Sequence, residues 1–394
     1  MAKMTTKPDD FLPLPDDAVA QDEDFGAPFG LFDRRRIRTM ARRKLVAATK
    51  PLDDYQFQPA SLDLRLGKEA FRVRASFLPG RGRTVEAGLA SLDTERISLA
   101  GAGAVLEKGI VYIARVTEHL ALLPSISGAA NPKSSTGRLD IFTRLIVNQA
   151  EAFDEVPLGY RGELWLEISP RSFSVRVREG SKLNQIRFRN RNSQQMGKLD
   201  FTLLDPELKE IHARTPLVDR DFETRDGLLL RVALSELAEG AAGYRAIKNG
   251  SVIDVDKVGG YSAEDFWEPI PLRADKRLVL DPDEFYILAS REKVQIPSHL
   301  AAEMAPIDPA IGEFRVHYAG FFDPGFGQGP DGRPAARAVL EVRSRDVPFL
   351  LEDGQPVGRL VFEKLADAPD ALYGADATSN YQHQGLRLSK HFRG

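Results

Sequence analysis

The chain has 394 residues, a formal net charge of −3, 42% hydrophobic and 28% charged residues, and no cysteine. That composition is ordinary for a globular protein. It excludes disulfides, thiolate catalysis and Cys-ligated zinc, and gives no general pull toward nucleic acid or an anionic membrane.

Residues 1–28 are rich in Asp and Pro and are expected to form a disordered acidic tail. They contain no apolar leader, and no stretch of the chain approaches the roughly 18 apolar residues of a spanning helix, so a cytoplasmic protein is expected. Asp33 is placed to cap a short helix that carries Arg34-Arg35-Arg36, read as a solvated face, and runs toward Leu45. From there the pattern is β. Residues 61–67 alternate polar and apolar and end on Gly67, and 109–116, 162–169, 174–178 and 183–188 read the same way. Between 195 and 222, Pro206, the charged run 207–210 and Pro216 predict a short helix with flanking turns. A second series of strands follows at 228–232, 285–289, 338–343 and 356–362, with Gly325–Gly329 read as a loose hairpin loop. Many short strands punctuated by Pro and Gly argue for a mainly β sandwich or jelly roll.

The second series echoes the first. Val105-Leu106-Glu107, Tyr112-Ile113 and Glu118 return as Val279-Leu280-Asp281, Tyr286-Ile287 and Glu292, and Tyr112 and Tyr286 are 174 positions apart. The same offset carries Leu166-Glu167-Ile168 onto Leu340-Glu341-Val342, Gly180 onto Gly354 and Phe188 onto Phe362. A period this long is no solenoid repeat. It implies a duplicated domain, with units at 29–200 and 223–394 and a linker at 201–222.

Four segments can carry chemistry. Lys133-Ser134-Ser135-Thr136-Gly137-Arg138 gathers hydroxyls, a Gly and two cations, donors suited to a phosphate chain if the turn exposes its N–H groups; a polar surface turn is the plainer reading. Glu167 and Glu341 each stand between apolar strand neighbours, so each faces away from the core residues beside it. Partial desolvation there raises a carboxyl toward the range of a general base, unless it simply faces solvent. Residues 317–326 read as an aromatic hairpin with an Asp323-Pro324-Gly325 turn, where Ala319 and Gly320 leave room for a flat ring. Tyr381-Gln382-His383-Gln384-Gly385 follows a flexible stretch at 374–380 and is a polar tail able to close over a ligand, or a frayed end. No P-loop, HExxH or zinc-deaminase signature occurs, and the six His show no metal-ligand spacing.

Taken in order, these segments resemble the dCTP deaminase family, which belongs with the trimeric dUTPases. Gln58-Pro59-Ala60-Ser61-Leu62-Asp63-Leu64-Arg65-Leu66-Gly67 is similar to the family's opening strand, and Lys133–Arg138 to its Arg/Lys-Ser-Ser-x-x-Arg phosphate motif. Asp323-Pro324-Gly325-Phe326 with Leu340-Glu341 resembles its base-binding hairpin and catalytic Glu, and Tyr381–Gly385 its closing Tyr-Gln-x-Gln tail. The resemblance spans most of 30–394, one family unit per half. It implies two tandem dUTPase-like β-barrel or jelly-roll domains with a few short helices.

The halves depart from the family in complementary ways. The first keeps Lys133, Ser134, Ser135, Arg138 and Glu167, but has the looser Asp154–Tyr160 where the hairpin belongs and no tail of its own. The second has hairpin, Glu341 and tail, but Pro306–Ile311 in place of the phosphate motif. Because the family's site lies between subunits, a composite site is expected. The first half would give Lys133, Ser134, Ser135 and Arg138 to phosphates. The second would give Ala319, Asp323, Tyr381 and Gln384 to base and sugar, with Glu341, Glu167 or both catalytic. The resemblance implies zinc-independent deamination of dCTP to dUTP, Mg²⁺ carried on the triphosphate, and a homo-oligomer with threefold or pseudo-threefold symmetry. Its rivals are dUTP pyrophosphatase or bifunctional chemistry and, in another class, a non-catalytic nucleotide sensor.

Overall fold

The structure, a computed structural model, describes Phe25, residues 28–190, residues 201–375 apart from 236, 238, 239, 308–313, 318, 319 and 345, and residues 381–393. The expected acidic tail falls almost wholly outside the described residues, as do Ala319 and residues 376–380.

The molecule is mainly β, as its alternating patterns predict. A ten-stranded antiparallel sheet runs in the order Ile141–Val147, Arg161–Pro170, Val111–Ala121, Leu62–Val73, Lys182–Asn190, Ile126–Pro132 and Glu155–Val156, with three short strands off this path. The second sheet has the same order in Phe314–His317, Ala336–Ser344, Tyr286–Val294, Leu228–Ala233, Pro356–Lys364, Leu300–Pro306 and Phe321–Phe322. The echo in sequence is also an echo in contacts. The Tyr112 hydroxyl accepts from Glu107 N, and the Tyr286 hydroxyl from Asp281 N, both at 3.0 Å. Buried Glu118 accepts from Arg65 N at 2.9 Å, and buried Glu292 from Arg231 N at 3.0 Å. In each half an internal carboxylate thus satisfies a strand N–H that the ladder leaves free, which a buried donor requires.

Two readings change. Gly67 does not end its strand: Leu62–Val73 continues through it with a register shift between Leu66 and Ala70. A Cβ on Gly67 would stand 2.8 Å from the Arg115 carbonyl oxygen, so this Gly permits close backbone approach at a bulge rather than a turn. The basic run is not wholly a solvated face either. Helix Arg34–Arg42 is capped by Asp33, which accepts from Arg36 N at 3.0 Å, but the Arg36 side chain is buried over Phe32 and paired with Asp367 of the second half. The expected linker helix spans Asp205–Arg214. No helix among the described residues is long and apolar enough to cross a membrane.

The halves are sewn together. A small sheet joins Ala104–Leu106 and Val175–Val177 to Ile253–Asp254, the last pairing in parallel. Phe173 packs edge-on against Phe266 and Trp267, with ring centroids 5.6 and 5.5 Å apart, and Phe392 closes the same cluster at 5.5 and 6.0 Å. Each such ring removed from water contributes about 1.5–3 kcal/mol.

One contact across the halves carries a pH signature. Asn131 Nδ2 donates to Glu303 Oε1 at 2.9 Å, and burial, reinforced by Glu363, pushes the Glu303 carboxyl up to about 7. A carboxyl raised on folding stabilises fully below its unfolded pKa and loses that contribution as pH rises through the folded value. Glu303→Gln is therefore expected to match the parent near pH 4 and to exceed it at pH 8. The gain should be on the order of 1–2 kcal/mol after allowance for the residue's partial solvent contact, read from denaturant midpoints.

Candidate active site

The turn after strand Ile126–Pro132 winds into a single helical turn, Ser134–Gly137. Thr136 N and Gly137 N donate to the Lys133 carbonyl at 2.8 and 3.0 Å, and Arg138 N to that of Ser134 at 3.1 Å. These three N–H groups are spent inside the turn rather than exposed, which leaves its side chains and the Ser134 and Ser135 N–H groups as donors for a ligand. Lys133 pairs with buried Asp63. Arg138 is buried, donates to Gln384 Oε1 at 2.9 Å and to the Arg387 carbonyl at 3.0 Å, and lies 3.9 Å over the Tyr381 ring. Its Nε is buried without a hydrogen-bond partner among the described residues, a donor that costs free energy until an acceptor meets it.

Glu341 sits on strand Ala336–Ser344 between core residues Leu340 and Val342, so alternation turns it away from them. Burial holds its carboxyl well above the usual range; the Arg138 guanidinium opposes this and Asp140 adds to it. Asp140 is itself clamped by Arg343, two positions beyond Glu341 on the same strand face: Nε donates at 3.1 Å, Nη2 bonds Oδ2, and Ser172 Oγ donates at 2.6 Å. Asp323 on the hairpin is buried and accepts from Arg187 Nη2 at 3.1 Å. Its carboxyl is raised by burial against the pull of Arg187.

Ser134 and Arg138 from the first half, with Asp323, Glu341, Tyr381 and Gln384 from the second, line one cavity of about 50 Å³. Lys133 and Ser135 face a second cavity of about 280 Å³ on another side of the turn. Ala319 lies outside the described residues. Glu167 is elsewhere: Arg144 clamps it with Nε at 3.1 Å and Nη2 at 2.8 Å, Ser76 Oγ bonds its other oxygen, and Phe153 stacks 3.5 Å from the guanidinium. Both Glu residues hold the same strand position, but one faces a cavity and the other has Oε1 met by two Arg144 nitrogens and Oε2 by Ser76.

Arg187 and the pair Asp140 and Arg343 escape the motif reading. Arg187, fully buried in the first half, donates to the Ala302 and Phe322 carbonyls at 3.0 Å as well as to Asp323, and so fixes the hairpin of the second half. The offset sets Arg187 opposite Val361, so a cation present in one copy alone was its available signal. The pair Asp140 and Arg343 is the second. Gln382, named in the tail motif without a contact, accepts from Gly327 N at 3.0 Å and donates to the Gly325 carbonyl at 3.1 Å. The Gly-rich loop read as a loose hairpin is thus the tail's dock. A Cβ on Gly327 would come within 2.1 Å of the Val294 carbonyl oxygen, and its φ of 69° favours Gly.

The tail does not end free after Gly385. Ser389 Oγ donates to the Ser135 carbonyl at 2.8 Å, Lys390 N to the Tyr381 hydroxyl at 3.1 Å, and Gly259 N to the Lys390 carbonyl at 3.0 Å, before Phe392 enters its aromatic cluster. Arg187→Met is expected to leave Asp323 buried without its counter-charge and to cost about 3–5 kcal/mol. Calorimetric melting checks this, with the double change Arg187→Met and Asp323→Asn recovering most of the loss.

Models of the N-terminal and C-terminal domains of 2'-deoxycytidine 5'-triphosphate deaminase match residues 28–192 and 204–392. A crystal structure of that deaminase from Agrobacterium tumefaciens is 49% identical, with a TM-score of 0.80 over 86% of this chain and 99% of that one. A dUMP-forming dCTP deaminase of Methanopyrus kandleri is 31% identical over 170 residues, 41% of this chain and 82% of the relative. A dCTP deaminase of Haloarcula marismortui is 27% identical over 161 residues, 40% of this chain and 78% of the relative. The match to a dUMP-forming dCTP deaminase of Kocuria rhizophila, 31% identical over 121 residues, takes in 30% of this chain and 58% of that relative's length. The chain belongs to the dCTP deaminase family.

Proposed function

We propose that the protein hydrolyses dCTP to dUTP and ammonia without zinc, with Glu341 as general base. The observation that carries this reading is the Glu341 carboxyl, buried at a cavity whose polar walls come from both halves. Water adds to C4 of the cytosine ring and gives a proton to Glu341, which passes it to N3; Glu341 then carries the proton of the new C4 hydroxyl to the amine, and ammonia leaves as the C4–N bond breaks and the C4 carbonyl forms. Burial raises the Glu341 pKa, which makes its carboxylate a better proton acceptor, and the Arg138 guanidinium opposes that rise. Lys133, Ser134, Ser135 and Arg138 are assigned to the phosphate chain, and Ala319, Asp323, Tyr381 and Gln384 to base and sugar. Glu167, held by Arg144, is assigned a structural role.

Mg²⁺ enters with the substrate, on phosphate oxygens and water. The carboxylates that line the larger cavity beside the turn support that division, since Asp63 is engaged by Lys133 and Asp256 by Arg178. The chain is read as a duplicated cytoplasmic enzyme whose family units assemble about a threefold or pseudo-threefold axis, an arrangement that light scattering tests. A bifunctional reading, with dUTP carried on to dUMP, is favoured by the relatives named as dUMP-forming. Incubation with dCTP and Mg²⁺, with products separated by charge, decides. The expected products are dUTP and ammonia; dUMP and diphosphate appearing with ammonia select the bifunctional enzyme, and dCTP binding without ammonia release sinks both.

A further inference from the structure

Asp140 and Arg343 form a buried bridge between the halves that takes no part in the proton transfers. Asp140 stands two positions after Arg138, and Arg343 two positions after Glu341. The pair therefore ties the end of the turn that carries the guanidinium to the strand that carries the base. Both ends are fixed. The Asp140 backbone is left-handed, with a φ of 56°, a conformation that Asp tolerates better than most residues. Its N–H donates to the Gly137 carbonyl at 2.8 Å, and its carbonyl accepts from Arg171 N at 2.9 Å. Its fully buried carboxylate accepts from Arg343 Nε and Nη2 and from Ser172 Oγ. On the other side, Arg343 Nη1 donates to the Asp283 carbonyl at 2.9 Å, and the guanidinium lies 5.6 Å from the centroid of the Phe285 ring. The 174-residue offset sets Ser169 opposite Arg343, so only the first-half turn paired with the second-half strand carries such a bridge. A buried ion pair adds little stability over apolar side chains of the same volume, because both charges give up water. What a planar fork on one carboxylate supplies is direction and distance.

We propose that Asp140 and Arg343 are positioning residues for deamination: their bridge sets the register of the Glu341 strand against the turn, and so holds the general base and Arg138 in a fixed relation. This role rests on the function proposed above. Asp140 also acts on the base through its charge. Around Glu341 stand Arg138 and Asp140 from the first half, Asp323, Tyr373 and Tyr381 at the same cavity, and His317 as its register partner on the neighbouring strand. Arg138 lowers the Glu341 carboxyl and Asp140 raises it, so removal of the Asp140 charge should lower it.

Ammonia release from dCTP, followed across pH, tests the role in the full chain. The parent is compared with Asp140→Asn, Arg343→Met, Arg343→Lys and the double change Asp140→Asn with Arg343→Met, each held well below its own melting midpoint. Each of Asp140→Asn and Arg343→Met is expected to lower kcat about ten- to hundredfold, the effect of a misplaced catalytic group, with KM for dCTP little changed. The double change should cost no more than the worse single one, because the two residues act as a unit. The acid limb of kcat/KM should move down in pH in Asp140→Asn. Arg343→Lys, which keeps the charge and one contact, should recover part of the lost kcat. Where a single change unfolds the chain, the double variant and Arg343→Lys carry the same test. A lowered melting temperature with kcat, KM and acid limb unchanged makes the bridge structural only and overturns the proposal, as do losses in kcat that add in the double variant. An active parent with parent-like variants sinks the positioning role alone; a parent that binds dCTP and releases no ammonia sinks the deamination reading and this role with it.

Discussion

Glu341→Gln is expected to lower kcat by about 10²–10⁴-fold, the usual contribution of a positioned general base, while Glu167→Gln leaves kcat within roughly twofold. The substitution keeps size and one hydrogen-bonding oxygen but cannot accept the proton. The contrast follows from surroundings rather than from strand position, which the two residues share. Glu341 reaches a cavity with Arg138 and Asp323; Glu167 is saturated by Arg144 and Ser76. The base must be ionised, so activity rises with pH through its pKa. Burial and Asp140 raise that value and Arg138 lowers it, and the acid limb of kcat/KM should lie above the ordinary Glu range. The folding contribution runs the other way: protonated Glu341 favours the native state at low pH, and that advantage is lost as pH rises through its folded pKa. Loss of activity in Glu167→Gln with activity retained in Glu341→Gln would sink the assignment.

Arg138→Met is expected to lower kcat/KM by roughly 30- to 1,000-fold, the range for truncating one member of a buried, hydrogen-bonded charged contact. This guanidinium bonds Gln384 and the Arg387 carbonyl, stacks on Tyr381, and is the cation that opposes the upward shift of Glu341. Its loss should move the acid limb further up in pH and raise hydrogen exchange across 381–393. Arg138→Lys separates the two roles. It restores the charge, and with it much of the limb, but not the planar fork that holds the closing segment. A variant with an unshifted limb and unchanged exchange would show that Arg138 serves phosphate binding alone.

What the sequence made legible is local. Period-two alternation is enough to turn Glu341 and Glu167 away from the core residues beside them, and the 174-residue echo aligns the two sheets except at Leu62–Val73 with Leu228–Ala233 and Glu155–Val156 with Phe321–Phe322, which start 166 positions apart. The split of motifs pointed to a site built from both halves. The fate of Glu167 was not legible, because it depends on Arg144 from a neighbouring strand. Nor were Arg187 on the hairpin and Arg343 on Asp140, ion pairs across 136 and 203 positions that no periodicity encodes. Gly67 misled because a strand bulge and a strand end ask the same thing of glycine.

The closing segment is pinned on both sides of Gln384: by Gln382 on the Gly325–Gly327 loop, and by Ser389, Lys390 and Phe392 beyond. A free terminus would have to find its dock anew in every turnover and lose the disorder of its whole length each time. A short span held at both ends starts near its closed position, and the ordering entropy of the distal anchor is already spent in folding. Opening then becomes a local bowing of a few residues, so the rate of uncovering the site should depend on how firmly Phe392 is seated, at a distance from every reacting atom.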